Sequence, residues 1–252
     1  MKALVLVAGN TVPSIALERG DYARWIREGT GDAWPGTWAA HDLREPSPLP
    51  RPHDADAFVI TGSSSSVTER AAWMLRGEEL VRAIADAAVP LLGICFGHQM
   101  IAQALGGQVR RNPRGREIGT LRLERLADDP LFGGLPRVFD VNGTHVDAVA
   151  ELPPRAEVLA TTSLDPAAAF RVGRTIRAVQ FHPEFDAHVM RGYLRARAEL
   201  VRGEGLDPEA LLAAVHEGTR GGDILRNFAR MAAGRGGHLR RGPAAPRRAP
   251  TW

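Results

Sequence analysis

A single cysteine, Cys95, stands in 252 residues, so an internal disulfide is excluded and a reducing cytoplasm is the expected setting. Lysine is nearly missing as well: Lys2 is the only one, and every other basic side chain is arginine or histidine. A phosphate-binding loop of the form GxxxxGK[ST] therefore cannot occur in the chain. No apolar run approaches the roughly 20 residues that span a bilayer, so no membrane association is expected. The opening MKALVLVAG carries a run too short for a secretion signal and reads as a first β-strand. Acidic residues are missing from residues 234–252, which hold five arginines (Arg235, Arg240, Arg241, Arg247 and Arg248). Taking those five charges from the net +3 leaves the rest of the chain at −2. A nucleic-acid binder needs its basic stripe on the folded surface, so no nucleic-acid partner is expected.

Hydrophobic residues at 44% supply a sizeable core, and the length fits one large domain or two small ones. KALVLVAG, DAFVITGSSSSV and VPLLGI read as buried strands. SIALERGDYARWIREG, EELVRAIADAA and FGHQMIAQALGG read as the helices between and after them. EPSPLPRPHD is too rich in proline for either. Strands alternating with helices predict a parallel sheet covered on both faces. The second half differs: TLRLERL, RVFDVNGTHVDAV, AEVLATT, AAFRV and TIRAVQF are short strand candidates, with RVGRT as a hairpin turn. These predict antiparallel strands added to the parallel core. AHVMRGYLRARAELVR reads as a helix, and one or two more follow, interrupted at Gly221 and Gly222. The expected division is a main domain over 1–203, a helical C-terminal extension over 204–233, and a basic, disordered tail over 234–252. The late helices either pack on the core or offer a surface to a partner or a second copy.

Gly93-Ile94-Cys95-Phe96-Gly97 has the form G-x-nucleophile-x-G between a strand and a helix. A sharp turn there lifts the central side chain above the sheet edge, and glycines remove side chains that would collide. The free N–H groups of the new helix favour a thiolate and can hold an oxyanion. The alternative is an inert buried cysteine.

A thiol nucleophile needs a base, and the base needs an orienter. Of eight histidines, His41 and His53 lie in or near the proline-rich loop, His216 on a late helix and His238 in the tail. His98 follows Cys95 on its own helix. VQFHPEF is different, because Pro183 holds the residue before it extended and so sets His182 and Glu184 on one side. The pair ends an apolar strand, as an active-site pair on a parallel sheet would; otherwise it is a surface ion pair. The Gly62 loop in ITGSSSSV either aims N–H groups at an anionic oxygen or is simply flexible.

Taken in order, ITGS, GICFGHQ and FHPEF resemble the class I (triad-type) glutamine amidotransferase family, in its GMP-synthetase-like, stand-alone branch. GGQVRRNPRGREIGT and VNGTHVDAV resemble the segments that flank that family's glutamine pocket. The resemblance implies an open, mostly parallel, flavodoxin-like sheet. It implies Cys95 as nucleophile, His182 as base and acid, Glu184 as orienter, and the N–H groups of Gly62 and Phe96 as the oxyanion hole. Gln99, Thr144, His145 and Val146 become substrate contacts. The family usually has Ser-His-Gly-Asp where this chain has Thr144-His145-Val146-Asp147, a departure that bears on substrate fit. The implied reaction releases ammonia and glutamate from L-glutamine or a related γ-glutamyl compound, with no metal or organic cofactor. The expected ammonia acceptor lies on another chain, so a synthetase partner or a homo-oligomer is the expected assembly. A γ-glutamyl peptidase-like hydrolase and a non-catalytic binding module are the alternatives.

Overall fold

The computed structural model describes residues 1–239, with side chains to residue 234. The chain opens with β1 (Lys2–Val7), α1 (Pro13–Arg19), α2 (Tyr22–Thr30), β2 (Thr37–Asp42) and β3 (Ala57–Ile60). It continues with α3 (Ala72–Asp86), β4 (Leu91–Ile94), α4 (Phe96–Ala104), β5 (Gln108–Arg111), β6 (Glu117–Arg125), β7 (Val138–His145) and β8 (Asp147–Glu151). β9 (Ala156–Thr161), β10 (Ala169–Val172) and β11 (Ile176–Val179) follow, then α5 (Ala187–Ala196), α6 (Ala198–Gly203), α7 (Pro208–Ala214) and α8 (Gly221–Leu239).

Nine strands form one sheet in the order β2-β1-β3-β4-β11-β10-β9-β6-β7. The first five are parallel and the last four add antiparallel pairings, as the sequence predicts. β5 and β8 make a separate antiparallel pair. Period-two alternation divides each central strand between two cores. Ala3, Val5, Val59, Leu92 and Ile94 face one side, with Ile26 of α2. Leu4, Leu6, Phe58, Ile60 and Leu91 face the other, with Ile84 of α3 and Met100 of α4. α8 buries Ile224, Leu225 and Phe228 in the first of these cores. At about 1.5–3 kcal/mol for each large apolar side chain buried, that helix is part of the folding unit.

Several helix boundaries differ from the sequence reading. Gly20, at φ 81°, and Asp21, whose carboxylate caps α2 through the Arg24 N–H, split the first predicted helix in two. A break at Arg197 separates α5 from α6. Gly221 and Gly222 start α8 instead of interrupting a helix, and the break precedes them. α8 also runs to Leu239, so residues 234–239 are helical where a disordered tail is expected; residues 240–252 lie outside the described residues.

Candidate functional site

Three neighbouring parallel strands end together. β4 lies between β3 and β11, with Gly93 opposite both Ile60 and Ala178. The residues just beyond their C-terminal ends are Gly62, Cys95 and His182. Open α/β sheets place ligands at this edge, because the strand-to-helix loops there are free to converge.

Cys95 occupies the turn between β4 and α4 with φ 52° and ψ −99°. That is a left-side conformation for a residue with a side chain, costing on the order of 1–3 kcal/mol. Backbone bonds hold it: the Cys95 N–H donates to Val179 O at 2.9 Å, and the Gln99 N–H donates to Cys95 O at 3.1 Å. The flanking glycines are needed for close approach. A methyl group on Gly93 would lie 2.5 Å from Gly97 O, and one on Gly97 would lie 2.5 Å from Ile60 O. Both obstacles are backbone, so neither can swing away. Gly97→Ala is expected to lower stability by about 1–3 kcal/mol, read as a lower denaturant midpoint. An unchanged midpoint would show that α4 can move off β3.

His182 and Glu184 come together as their spacing predicts. Nδ1 of His182 is 2.8 Å from Oε1 of Glu184, and both side chains are buried. The His182 N–H donates to Asn142 O at 2.8 Å, fixing the segment against β7. The imidazole stacks on Phe185 with ring centres 4.1 Å apart. Gly62 lies under its other edge, where a methyl group would come within 2.7 Å of Cε1. Gly221, first residue of α8, is pressed against Pro183, leaving 2.4 Å from a would-be methyl to Pro183 O. The C-terminal helix thus buttresses the segment that carries His182 and Glu184.

The electrostatics favour an ion pair. Burial pushes the Cys95 thiol up, but the charge and hydrogen bond of His182, helped by His145, pull it below its ordinary value. Burial pushes His182 down, but Glu184 and the Cys95 thiolate hold it up, at about 10. An imidazolium facing a thiolate satisfies both shifts.

Cys95 opens into a cavity of about 310 Å³ lined by the Ser63–Ser66 loop, Phe96, Gln99, the Thr144–Asp147 turn, Arg116, Arg197 and Leu200. The Gly62 N–H has no acceptor among the described residues, and the Phe96 N–H is in the first helical turn, where none is available. Gln99 donates both amide hydrogens inward, to Asp147 O and Gln180 Oε1 at 3.0 Å each. Its carbonyl oxygen is left as an acceptor at the cavity wall. Val146 separates β7 from β8, and Thr144, His145 and Val146 all line the cavity.

His145 is placed differently from a simple substrate contact. Its Nδ1 meets Asp147 O at 3.0 Å and its Nε2 meets Glu117 Oε2 at 3.1 Å. Both partners only accept, so both ring nitrogens carry hydrogen and the ring is an imidazolium. Burial opposes that charge, yet Glu117 and the nearby Asp165 and Cys95 raise His145 above its usual value. Glu117 in turn is held low against its burial by His145 and by Thr162 Oγ1 at 2.7 Å. His98, by contrast, is buried with Nε2 donating to Ala167 O at 2.9 Å, and burial drops it to about 3. It stays neutral and away from the cavity.

Sequence reasoning missed Glu117, Arg116 and Arg197. The first two lie in RGREIGT, a segment singled out only as a stretch, and Arg197 carries no motif. Among the described residues no group of three or more His, Cys, Asp or Glu is arranged to hold a metal, and no helix is long and apolar enough to cross a membrane.

The model of the class-I glutamine amidotransferase family matches residues 39–197, more than half of the chain. A glutamine-hydrolysing GMP synthase of Thermomicrobium roseum is 41% identical over 135 residues, which cover 54% of this chain and 24% of that protein. One subunit of the glutamine-hydrolysing GMP synthase from Pyrococcus abyssi is 45% identical over 105 residues, 41% of this chain and 55% of that one. γ-Glutamyl peptidase 4 of Arabidopsis thaliana is 32% identical over 140 residues, 54% of this chain and 56% of that one. The matches thus span from about a quarter to about half of these curated relatives. In fold, the chain is similar to a crystal structure of a glutamine amidotransferase from Thermotoga maritima, with a TM-score of 0.68 at 24% identity over 93% of this chain and 97% of that one. The elbow at Cys95, the His182–Glu184 pair beside it and the match over residues 39–197 agree: the chain belongs to the class-I glutamine amidotransferase family.

Proposed function

We propose that the chain hydrolyses the side-chain amide of L-glutamine to glutamate and ammonia, using Cys95, His182 and Glu184. The observation that carries this is a buried cysteine at a strand-to-helix elbow, beside a histidine that is hydrogen-bonded to a buried carboxylate at 2.8 Å. The thiolate attacks the amide carbon, and the electron pair of the carbonyl moves to oxygen. The free N–H groups of Gly62 and Phe96 suit that oxyanion. The intermediate collapses by breaking the carbon–nitrogen bond, and His182 hands its proton to the departing ammonia. Water, deprotonated by the now neutral His182, then attacks the γ-glutamyl thioester. Glutamate leaves and the thiolate returns. Gln99 Oε1 receives the substrate's ammonium group. Relatives whose names make them one of the subunits of a glutamine-hydrolysing GMP synthase support an ammonia acceptor on a separate synthetase chain.

The likeness to γ-glutamyl peptidase 4 supports a second reading, hydrolysis of other γ-glutamyl amides by the same chemistry. Glutamine and a panel of γ-glutamyl dipeptides, assayed for released glutamate, separate the two. Glutamine is expected to give the highest kcat/KM. Faster turnover of the dipeptides selects the second reading, and no turnover of either by folded protein overturns both.

A further inference from the structure

Two arginines line the Cys95 cavity, and they differ in what balances them. Arg116 is closed off: its guanidinium, 8% exposed, is gripped by Glu204 through Nε at 2.6 Å and Nη2 at 3.0 Å. Arg197 forms no ion pair with another described residue. Its backbone N–H ends α5 by donating to Tyr193 O at 3.1 Å, and its guanidinium lies over the Tyr193 ring, 5.3 Å from the ring centre. Nη1 donates to Thr144 Oγ1 at 3.0 Å. The same Thr144 presents its carbonyl oxygen to Cys95 Sγ at 3.7 Å. Thr144 thus lies between Cys95 and the guanidinium, and the aromatic face and hydroxyl fix a cation whose remaining donors have no anionic partner among the described residues.

We infer that Arg197 is the carboxylate anchor of the pocket and selects substrates that keep a free α-carboxylate on the glutamyl group. This rests on the glutamyl-hydrolase reading above. A guanidinium offers a planar fork of five donors, and Thr144 uses one of them. In glutamine the α-carboxylate sits at the far end of the short chain whose γ-carbonyl meets Cys95. The ammonium beside it falls to groups of opposite polarity on the same wall, Gln99 Oε1 and the Asp147 carboxylate. The pocket's charges therefore match a zwitterionic amino-acid head, with the cation supplied by the last residue of the family-matched stretch.

The test compares L-glutamine with its α-amide, which lacks the carboxylate, in the intact protein and in Arg197→Gln. The variant is expected to raise KM for glutamine about 10- to 100-fold with kcat changed much less, and to raise KM for the α-amide by a much smaller factor. Equal losses on both substrates, or no loss on glutamine, overturn the inference. Alkylation of Cys95 supplies a reading that needs no turnover. A glutamine-shaped chloroketone bearing the α-carboxylate forms a thioether with loss of chloride, followed by mass. Arg197→Gln is expected to slow this alkylation about 10-fold or more while leaving alkylation by neutral iodoacetamide unchanged. Equal alkylation rates for the acid and α-amide chloroketones in the unmutated protein overturn the anchor even where hydrolysis itself is absent. Absent hydrolysis with selective alkylation overturns the hydrolase reading alone.

Discussion

Cys95→Ala is expected to abolish ammonia release from L-glutamine, lowering kcat about 10,000-fold or more. The loss is large because nothing else in the cavity replaces the nucleophile. Cys95 is the sole cysteine, and the serines of the Ser63–Ser66 loop have no histidine hydrogen-bonded to them to take their protons. Alanine tolerates φ 52° no worse than cysteine does, since both carry one Cβ, so the elbow should survive the change. Glutamine binding is therefore expected to persist. Calorimetry on the variant checks that directly, because the groups proposed to hold the substrate's ends, Gln99 and Arg197, are untouched. Turnover surviving in Cys95→Ala would mean that another group performs the attack and that the elbow is only a turn.

The central fold and the meeting of the candidate triad were legible because their signals are local. Buried runs such as LVLV and FVI mark strands without any knowledge of neighbours. Cys95 lies between two glycines a few residues apart, and His182 and Glu184 are separated only by Pro183. The misses share a physical cause, which is that the deciding partner is distant in sequence. β2 (TWAAHD) is a half-exposed edge strand that exists by pairing with β1, and its own residues show no buried face. β5 (QVRR) likewise depends on β8. RVFDVNGTHVDAV reads as one strand, but Val146 ends the pairing with β6 and the chain passes to the second sheet. The charge state of His145 is set by Glu117, and that of Arg116 by Glu204. Arg197 is conspicuous only once the structure shows that it forms no ion pair among the described residues.

His182→Asn is expected to lower kcat about 100- to 10,000-fold and to move the ionisation of Cys95 to higher pH. The direction follows from what surrounds the thiol. Burial and the Glu184 charge both disfavour the thiolate, and the facing His182 imidazolium outweighs them. Asparagine keeps a polar side chain of moderate size but carries no charge, so the two opposing influences prevail. The pH at which iodoacetamide alkylates Cys95 at half its maximal rate should then rise above that of the unmutated protein. The unmutated His182 is held protonated up to about 10, so its charge is present throughout the neutral range in which the alkylation is read. His145 limits the size of the shift, because Glu117 keeps it charged and it too favours the thiolate. Adding Glu117→Gln to the Asn variant should therefore raise the midpoint further, as the second imidazolium loses its counter-ion and its proton. An alkylation profile that does not move in His182→Asn would refute the ion pair, for it would mean that the thiolate owes its stability to the N–H groups at the start of α4 alone.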